Sequence, residues 1–406
     1  MKTLRRTFFA LLLFIPVVLV AGKDKQQQKP QKKNFLAYVG TYTGKTGSKG
    51  VYAYRFDSAT GKLTSVGLAA ESVNPAFLAV HPSGKYLYAV NEVSDFAGTK
   101  DGSVSAFAVD GNSGKLVLLN QVASGGSGPC YLSLDRTGKF IFVANYGGGS
   151  VAVFPILEDG SLGQRTGFVQ HQGSSMNKDR QAGPHAHWIA PSAGNRFVYV
   201  SDLGLDKVLI YKFDAQKGTL TLGKAAAPGV AHGSAGESDP FSATLSPGTG
   251  PRHVAFSLDG NFMYVLGELQ ANVTVFANDS KRETFHAMQT ISTLPADFSG
   301  PKSAAEIFMH PSGKYLYASN RGHDSIAAFA VDPSKGTLTM IGAFPTQGKK
   351  PRSFAIDPSG SYLLAANQDS NNIVVFRIDR ATGALTLTGQ VVEIPAPVCI
   401  TFLAKP

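Results

Sequence analysis

Hydrophobic and polar positions alternate along this chain in runs of about five to eight residues, bounded by glycine, proline, asparagine or aspartate. A period of two puts every second side chain on one face, which predicts half-buried strands rather than helices. Four such runs follow one another at 76–81, 86–91, 103–110 and 115–120, termed here inner, second, third and outer. The block then returns. His81-Pro-Ser-Gly-Lys-Tyr-Leu-Tyr-Ala-Val-Asn-Glu92 recurs almost unchanged as His310-Pro-Ser-Gly-Lys-Tyr-Leu-Tyr-Ala-Ser-Asn-Arg321, with weaker copies over 135–146, 190–203, 257–268 and 357–368. The turn glycines Gly84, Gly138, Gly194, Gly260, Gly313 and Gly360 stand about 55 residues apart. Third-run copies number seven, at 51–57, 103–110, 150–156, 207–214, 272–277, 325–332 and 372–379.

Seven four-stranded units at this period predict an all-β, seven-bladed β-propeller of antiparallel sheets around a central channel. A linear solenoid repeats too, but it needs polar capping units at its ends. Here the ends complete one another. The N-terminal unit supplies a second, a third and an outer strand (35–41, 51–57, 63–66) and lacks an inner one. Near the C-terminus a lone run, 397–402, is patterned like an inner strand. One blade is therefore expected to be closed by strands from both ends.

Strand polarity then predicts where chemistry can gather. In an antiparallel blade, inner strands start and second strands end at the same mouth of the channel. Aligning inner strands on their proline (or Ala304) gives Ala76, Cys130, His185, Arg252, Ala305, Arg352 and Val398 one residue later. The next position holds Phe77, Tyr131, Ala186, His253, Glu306, Ser353 and Cys399, and the one after is apolar except for His187. Second strands finish with Asn91-Glu92, Asn145-Tyr146, Asp202, Glu268, Asn320-Arg321-Gly-His323 and Asn367-Gln368. One opening thus collects His185, Arg252, His253, Glu268, Glu306, Arg321, His323 and Arg352. Convergent Arg, His and Glu side chains in a concavity make a candidate active site.

Each residue also has a structural role to fill. The Asn/Asp ring suits the backbone of tight turns. His187, at an otherwise apolar position, reads as a satisfied core histidine. Arg252 and Arg321 are harder to absorb, because paired guanidiniums beside a channel need anions, and Glu268 could be simply their counter-ion. His185-x-His187 lacks a third metal ligand at suitable spacing. A ring of carboxylates and amides could hold calcium, but arginines at the same mouth repel a dication. No G-x-S-x-G elbow occurs, and neither thiol has a clear histidine partner in the sequence.

Composition narrows the classes further. With 43% hydrophobic and 16% charged residues in 406, the chain is too apolar for disorder. The net charge of +10 is local: residues 1–33 hold eight Lys/Arg and one Asp, leaving a near-neutral body. That argues against a nucleic-acid partner, which needs a clustered basic face. Lys2, Arg5 and Arg6 precede an apolar stretch ending at Ala21-Gly22. The pattern predicts a signal peptide over 1–22, a polar linker over 23–33, a propeller domain over 34–406 and export to the periplasm or medium, with no membrane association after cleavage. An uncleaved anchor is the alternative. Cys130 and Cys399, the two thiols, fall on different units and are expected to stay unbridged and buried.

At these positions the chain resembles the seven-bladed lactonase family of 6-phosphogluconolactonase and fungal carboxy-cis,cis-muconate cyclase. The carrying motifs are Val39-Gly-Thr-Tyr-Thr43, Gly183-Pro-His-Ala-His187, Gly250-Pro-Arg-His253, Gly267-Glu-Leu269, Ser303-Ala-Ala-Glu-Ile307, Ala318-Ser-Asn-Arg-Gly-His-Asp-Ser325 and Ala366-Asn-Gln-Asp-Ser370. The resemblance implies a seven-bladed propeller, no cofactor or obligatory metal, and opening or closing of a small-molecule lactone. The cyclase branch's His, two Arg and Glu match His185, Arg252, Arg321 and Glu268, the expected catalytic set; His253, Glu306, His323 and Arg352 are the expected substrate-binding set. Gly267 and Phe308 depart from the Asn and His common in the family, and the export segment departs from a cytoplasmic sugar-phosphate metabolism. A monomeric lactone hydrolase is expected; the alternative is an exported propeller that only binds an anionic sugar or a protein.

Overall fold

A computed structural model describes residues 34–222, 241–279 and 284–403; the expected signal peptide (1–22) and linker (23–33) lie outside the described residues. Apart from one short 3-10 turn, Gly44–Thr46, the described elements are strands. They form seven antiparallel sheets. The first blade contains Asn34–Thr41, Gly50–Asp57 and Lys62–Glu71, and its innermost strand is the C-terminal Pro397–Leu403. Leu36 stands opposite Leu403 and Gly40 opposite Cys399. The predicted closure from both ends is thus present.

Blades two to seven start at their inner strands: Pro75–Val80, Pro129–Leu134, Ala186–Pro191, Pro251–Phe256, Ala304–Met309 and Pro351–Ile356. Each runs outward in chain order, and the fourth carries an extra short strand, Ser242–Thr244, on Lys207–Asp214. The cores lie between neighbouring sheets. Seven buried apolar clusters fill the seven interfaces, including one joining the last blade (Tyr362, Leu364, Ile373) to the first (Phe35, Val39, Phe56). An open array of seven sheets would have only six such interfaces, so the ring is closed.

Hydrogen bonds also cross from blade to blade. Tyr88 Oη donates to the Gly160 carbonyl at 3.0 Å and Tyr317 Oη to that of Gly383 at 2.8 Å, each reaching the outer turn of the next blade. Each turn glycine adopts a positive φ, 84° at Gly160 and 75° at Gly383, which a side chain disfavours. Both cysteines are buried and free.

Candidate active site

Every inner strand carries a register shift just inside the mouth. Pro251 pairs with Gly267, yet Val254 pairs with Val265, so Arg252 and His253 stand outside the ladder opposite a single residue. The same irregularity falls at Arg352, at Ala305-Glu306, at Cys130, at Ala76 and at Val398. Such bulges bend a strand and re-aim its side chains. Here they turn residues toward the axis. In the fourth blade Ala186 pairs with Asp202 and Trp188 with Ser201, which leaves His187 in the bulge. The proline alignment of the sequence had put His185 at that position. His185 instead precedes the strand, its backbone N–H held by Asp202 Oδ1 at 2.8 Å, and it stands nearer the rim.

Rings from non-adjacent blades meet on the axis. Tyr131 lies 5.0 Å from His253 and 4.0 Å from Phe77, and Phe77 is 6.0 Å from His253, centroid to centroid. These rings converge beside the bulges of the inner strands. Glu268, just beyond the second strand of the fifth blade, receives Arg180 Nη2 on Oε1 at 2.7 Å. On Oε2 it receives Arg252 Nε and Arg321 Nη2, both at 3.0 Å. The carboxylate's own backbone is fixed from both sides, its N–H on Gly250 O at 2.8 Å and its carbonyl on Ala304 N at 3.1 Å.

Three guanidiniums therefore surround one carboxylate. Burial alone would raise the Glu268 pKa, but Arg321, Arg252 and Arg180 outweigh it and bring it down to about 2. Burial, with Arg321 and Arg352 nearby, pushes Arg252 down to about 10, so it stays protonated at neutral pH. Arg252 Nη1 donates to the Ala305 carbonyl and Arg321 Nη2 to that of Ala304. Arg321 Nε nevertheless has no acceptor, and Arg252 Nε meets only the Glu268 Oε2 with which it is ion-paired. Buried donors left open in this way are costly unless something fills them.

His185 stacks on Tyr146, with centroids 4.6 Å apart. Its Nδ1 is 2.9 Å from the Tyr146 carbonyl, which can only accept, so Nδ1 carries a proton and in the neutral ring the lone pair lies on Nε2. The Tyr146 hydroxyl in turn meets Arg180 Nη2 at 3.1 Å, which links His185 to the Glu268 cluster. His253 and Glu306 are both buried and bonded to each other, Nδ1 to Oε1 at 2.6 Å. The His253 Nε2 faces Arg252 Nη1 at 3.4 Å. Burial holds His253 below its ordinary pKa despite Glu306, so a neutral ring sits under Arg252. Arg352 lies over the Tyr42 ring at 5.1 Å and 3.6 Å from Glu92, whose other bond comes from Tyr42 Oη at 2.6 Å. His323 is taken up by Ser325 at 2.8 Å and the edge of Phe298.

The asparagine ring does the turn work expected of it: Asn320 Nδ2 donates to Thr293 O at 2.8 Å and Asn367 Nδ2 to Thr346 O at 3.2 Å. Two features escaped the sequence. Cys130 Sγ lies 3.6 Å from His187 Nδ1, although burial pushes the thiol up and His187 down, which removes the ion pair a nucleophile needs. Arg180 was missed because it lies on no repeated strand. Its signal was length: 15 residues separate Gln170 from Ala186, where the equivalent connection is three residues between Glu71 and Pro75. No three His, Cys, Asp or Glu side chains among the described residues are grouped to hold a metal ion.

A family model described as Lactonase, 7-bladed beta-propeller matches residues 36–402. The chain is 35% identical to 6-phosphogluconolactonase of Bacillus subtilis over 91% of its own length and 98% of that protein's. It is 36% identical to 6-phosphogluconolactonase of Formosa agariphila, over 79% of this chain and 86% of that one. Among solved structures, the periplasmic gluconolactonase of Pseudomonas aeruginosa superposes with a TM-score of 0.82 at 34% identity, covering 92% of this chain and 100% of that one.

Proposed function

This chain belongs to the seven-bladed β-propeller lactonase family, and we propose that it is a lactone hydrolase that opens a sugar or sugar-phosphate lactone with water in the cup at the channel mouth. The observation that carries this reading is a carboxylate over-compensated by three guanidiniums, beside which Arg321 Nε has no acceptor. Counting Arg180, Arg252 and Arg321 against Glu268 leaves an excess of two positive charges. A lactone carbonyl that becomes an oxyanion supplies both the acceptor and the charge.

In this mechanism a water oxygen attacks the lactone carbonyl carbon while its proton passes to His185 Nε2. The carbonyl electrons move onto oxygen, where Arg252 and Arg321 stabilise them. The ring C–O bond then breaks, and the departing alkoxide takes the proton back from His185. The product is a hydroxy acid, whose carboxyl proton goes to solvent. Glu268 stays ionised throughout and aligns the guanidiniums. His253 and Glu306 support Arg252 from below, and Arg352 lies across the cup as a substrate contact. Lactones open slowly in water already, so positioning and charge are sufficient.

Export belongs to the same proposal: residues 1–22 read as a signal, and a relative of this fold is periplasmic. Fractionation of the producing cell tests it, and mature protein confined to the cytoplasm would rule it out. For the chemistry, pH-stat hydrolysis of gluconolactone and its 6-phosphate is decisive. Turnover of at least one, unaffected by chelator, is expected. No rate above background on either would leave a propeller that binds without catalysis.

A further inference from the structure

The three guanidiniums on Glu268 are unequal. The Arg252 side chain is 3% exposed and that of Arg321 11%, whereas that of Arg180 is 42% exposed. Arg252 and Arg321 share Oε2 and also bond strand carbonyls of the sixth blade. Arg180 alone takes Oε1, and its other partner is the Tyr146 hydroxyl. Two of the three are thus built into the ring, while the third reaches in from a connection outside it.

That connection is well fixed although its arginine is not. Ser175 Oγ donates to Asp206 Oδ2 at 2.6 Å, and the same Asp206 accepts the Gly248 and Gly250 N–H groups at 2.7 Å each. Gln181 Nε2 holds the Leu203 carbonyl at 2.8 Å, and Asn177 Oδ1 caps the Arg180 N–H at 3.1 Å. Asp206 therefore ties the Arg180 connection to the segment that leads into the strand carrying Arg252. The backbone stays in place, and only the long side chain needs to rotate, a motion of nanoseconds or less at an exposed position.

From this arrangement we infer that Arg180 is a specificity-determining residue, whose guanidinium exchanges the Glu268 carboxylate for an anionic substituent on the bound lactone. Glu268 keeps Arg252 and Arg321 when Arg180 leaves, so the exchange does not strand a buried charge. An uncharged lactone offers Arg180 nothing better than Glu268 and leaves it where it is. The cup thereby discriminates charged from uncharged rings by a difference in affinity located in one side chain. Arginine suits the task, because its fork matches both a carboxylate and a phosphate.

The inference rests on the lactonase reading, and the experiment separates the two. Wild type, Arg180→Gln and Arg180→Lys are compared on gluconolactone and its 6-phosphate at one ionic strength, and the ratio of the two kcat/KM values is taken for each. The ratio is expected to fall about 30-fold in Arg180→Gln, mainly through KM for the phosphorylated ring, and to recover in part in Arg180→Lys. A ratio equal to wild type in Arg180→Gln, whether both rates fall or neither does, overturns the assignment. Calorimetric binding of 6-phosphogluconate and gluconate gives the same comparison without turnover. Should wild type hydrolyse neither lactone, the enzymatic reading fails, and the binding ratio still decides Arg180: loss of the preference for 6-phosphogluconate supports it and an unchanged preference overturns it.

Discussion

The two ends of the blades use similar residues in opposite ways. At the turns remote from the mouth, His310 accepts the Ser312 N–H on Nδ1 at 3.1 Å and donates Nε2–H to the Gly360 carbonyl at 2.8 Å; His81 repeats the pattern with Ser83 and Gly138. Asp357 accepts the Ser361 and Tyr362 N–H groups on one oxygen and Ser359 on the other, and Asp135 is satisfied likewise. These histidines and aspartates find their partners within their own turn or in the turn of the next blade. At the mouth, Arg321 Nε has no acceptor and Glu268 faces more cations than it can neutralise. The repeat stabilises itself at one end and reserves binding capacity at the other. The proposed function sits where the fold leaves polar groups unfilled.

Substitutions sharpen that contrast. The largest effect is expected at Glu268. Glu268→Gln removes the common partner of three guanidiniums, so kcat/KM should fall at least about 1,000-fold and stability by about 3–5 kcal/mol, read by denaturant unfolding. Arg252→Met should lose activity by about 100- to 1,000-fold while the unfolding midpoint holds or rises, because burial already disfavours this cation and pushes it down to about 10. A midpoint several degrees lower would mean that Arg252 stabilises the ring instead. At the remote end the pattern inverts. His310→Ala should cost about 1–3 kcal/mol and leave kcat/KM intact, since its bonds serve only the turn and the neighbouring blade.

Acid should act through the mouth. The Glu268 pKa falls from an ordinary 4.5 to about 2 in the folded protein. A lowered carboxylate contributes stability above its unfolded value that is lost as pH drops toward the folded one, so this contribution should fade between about pH 4.5 and 2. Comparing unfolding of wild type and Glu268→Gln at pH 5 and pH 3 measures it: the gap between them should narrow in acid. The smallest expected effect is that of Tyr317→Phe, which removes one blade-to-blade bond to Gly383 for about 1 kcal/mol and leaves turnover unchanged.

Much of this was legible in the sequence, because a repeat displays its own period. The glycines at 84, 138, 260, 313 and 360 fix the turns, and the lone C-terminal strand closes the ring with Leu36 opposite Leu403. Strand polarity alone gathered His185, Arg252, Glu268 and Arg321 at one mouth. The bulges were not legible, since which residue leaves a ladder depends on backbone pairing; hence His187 rather than His185 fills the aligned place in the fourth blade. Arg180 was hidden for a related reason: it lies on a long connection that departs from the repeat, and periodicity says nothing about side chains outside the period. Cys130 and His187 meet across 57 residues, a separation at which a dyad leaves no local pattern.

The most direct test of the account is the rate of lactone opening by wild type, His185→Ala, Arg252→Met and His310→Ala, followed by pH-stat on gluconolactone and its 6-phosphate near pH 6. The account predicts turnover by wild type and His310→Ala, with at least a hundredfold loss in both mouth variants. Full activity in His185→Ala and Arg252→Met, or its loss in a folded His310→Ala protein, would contradict it.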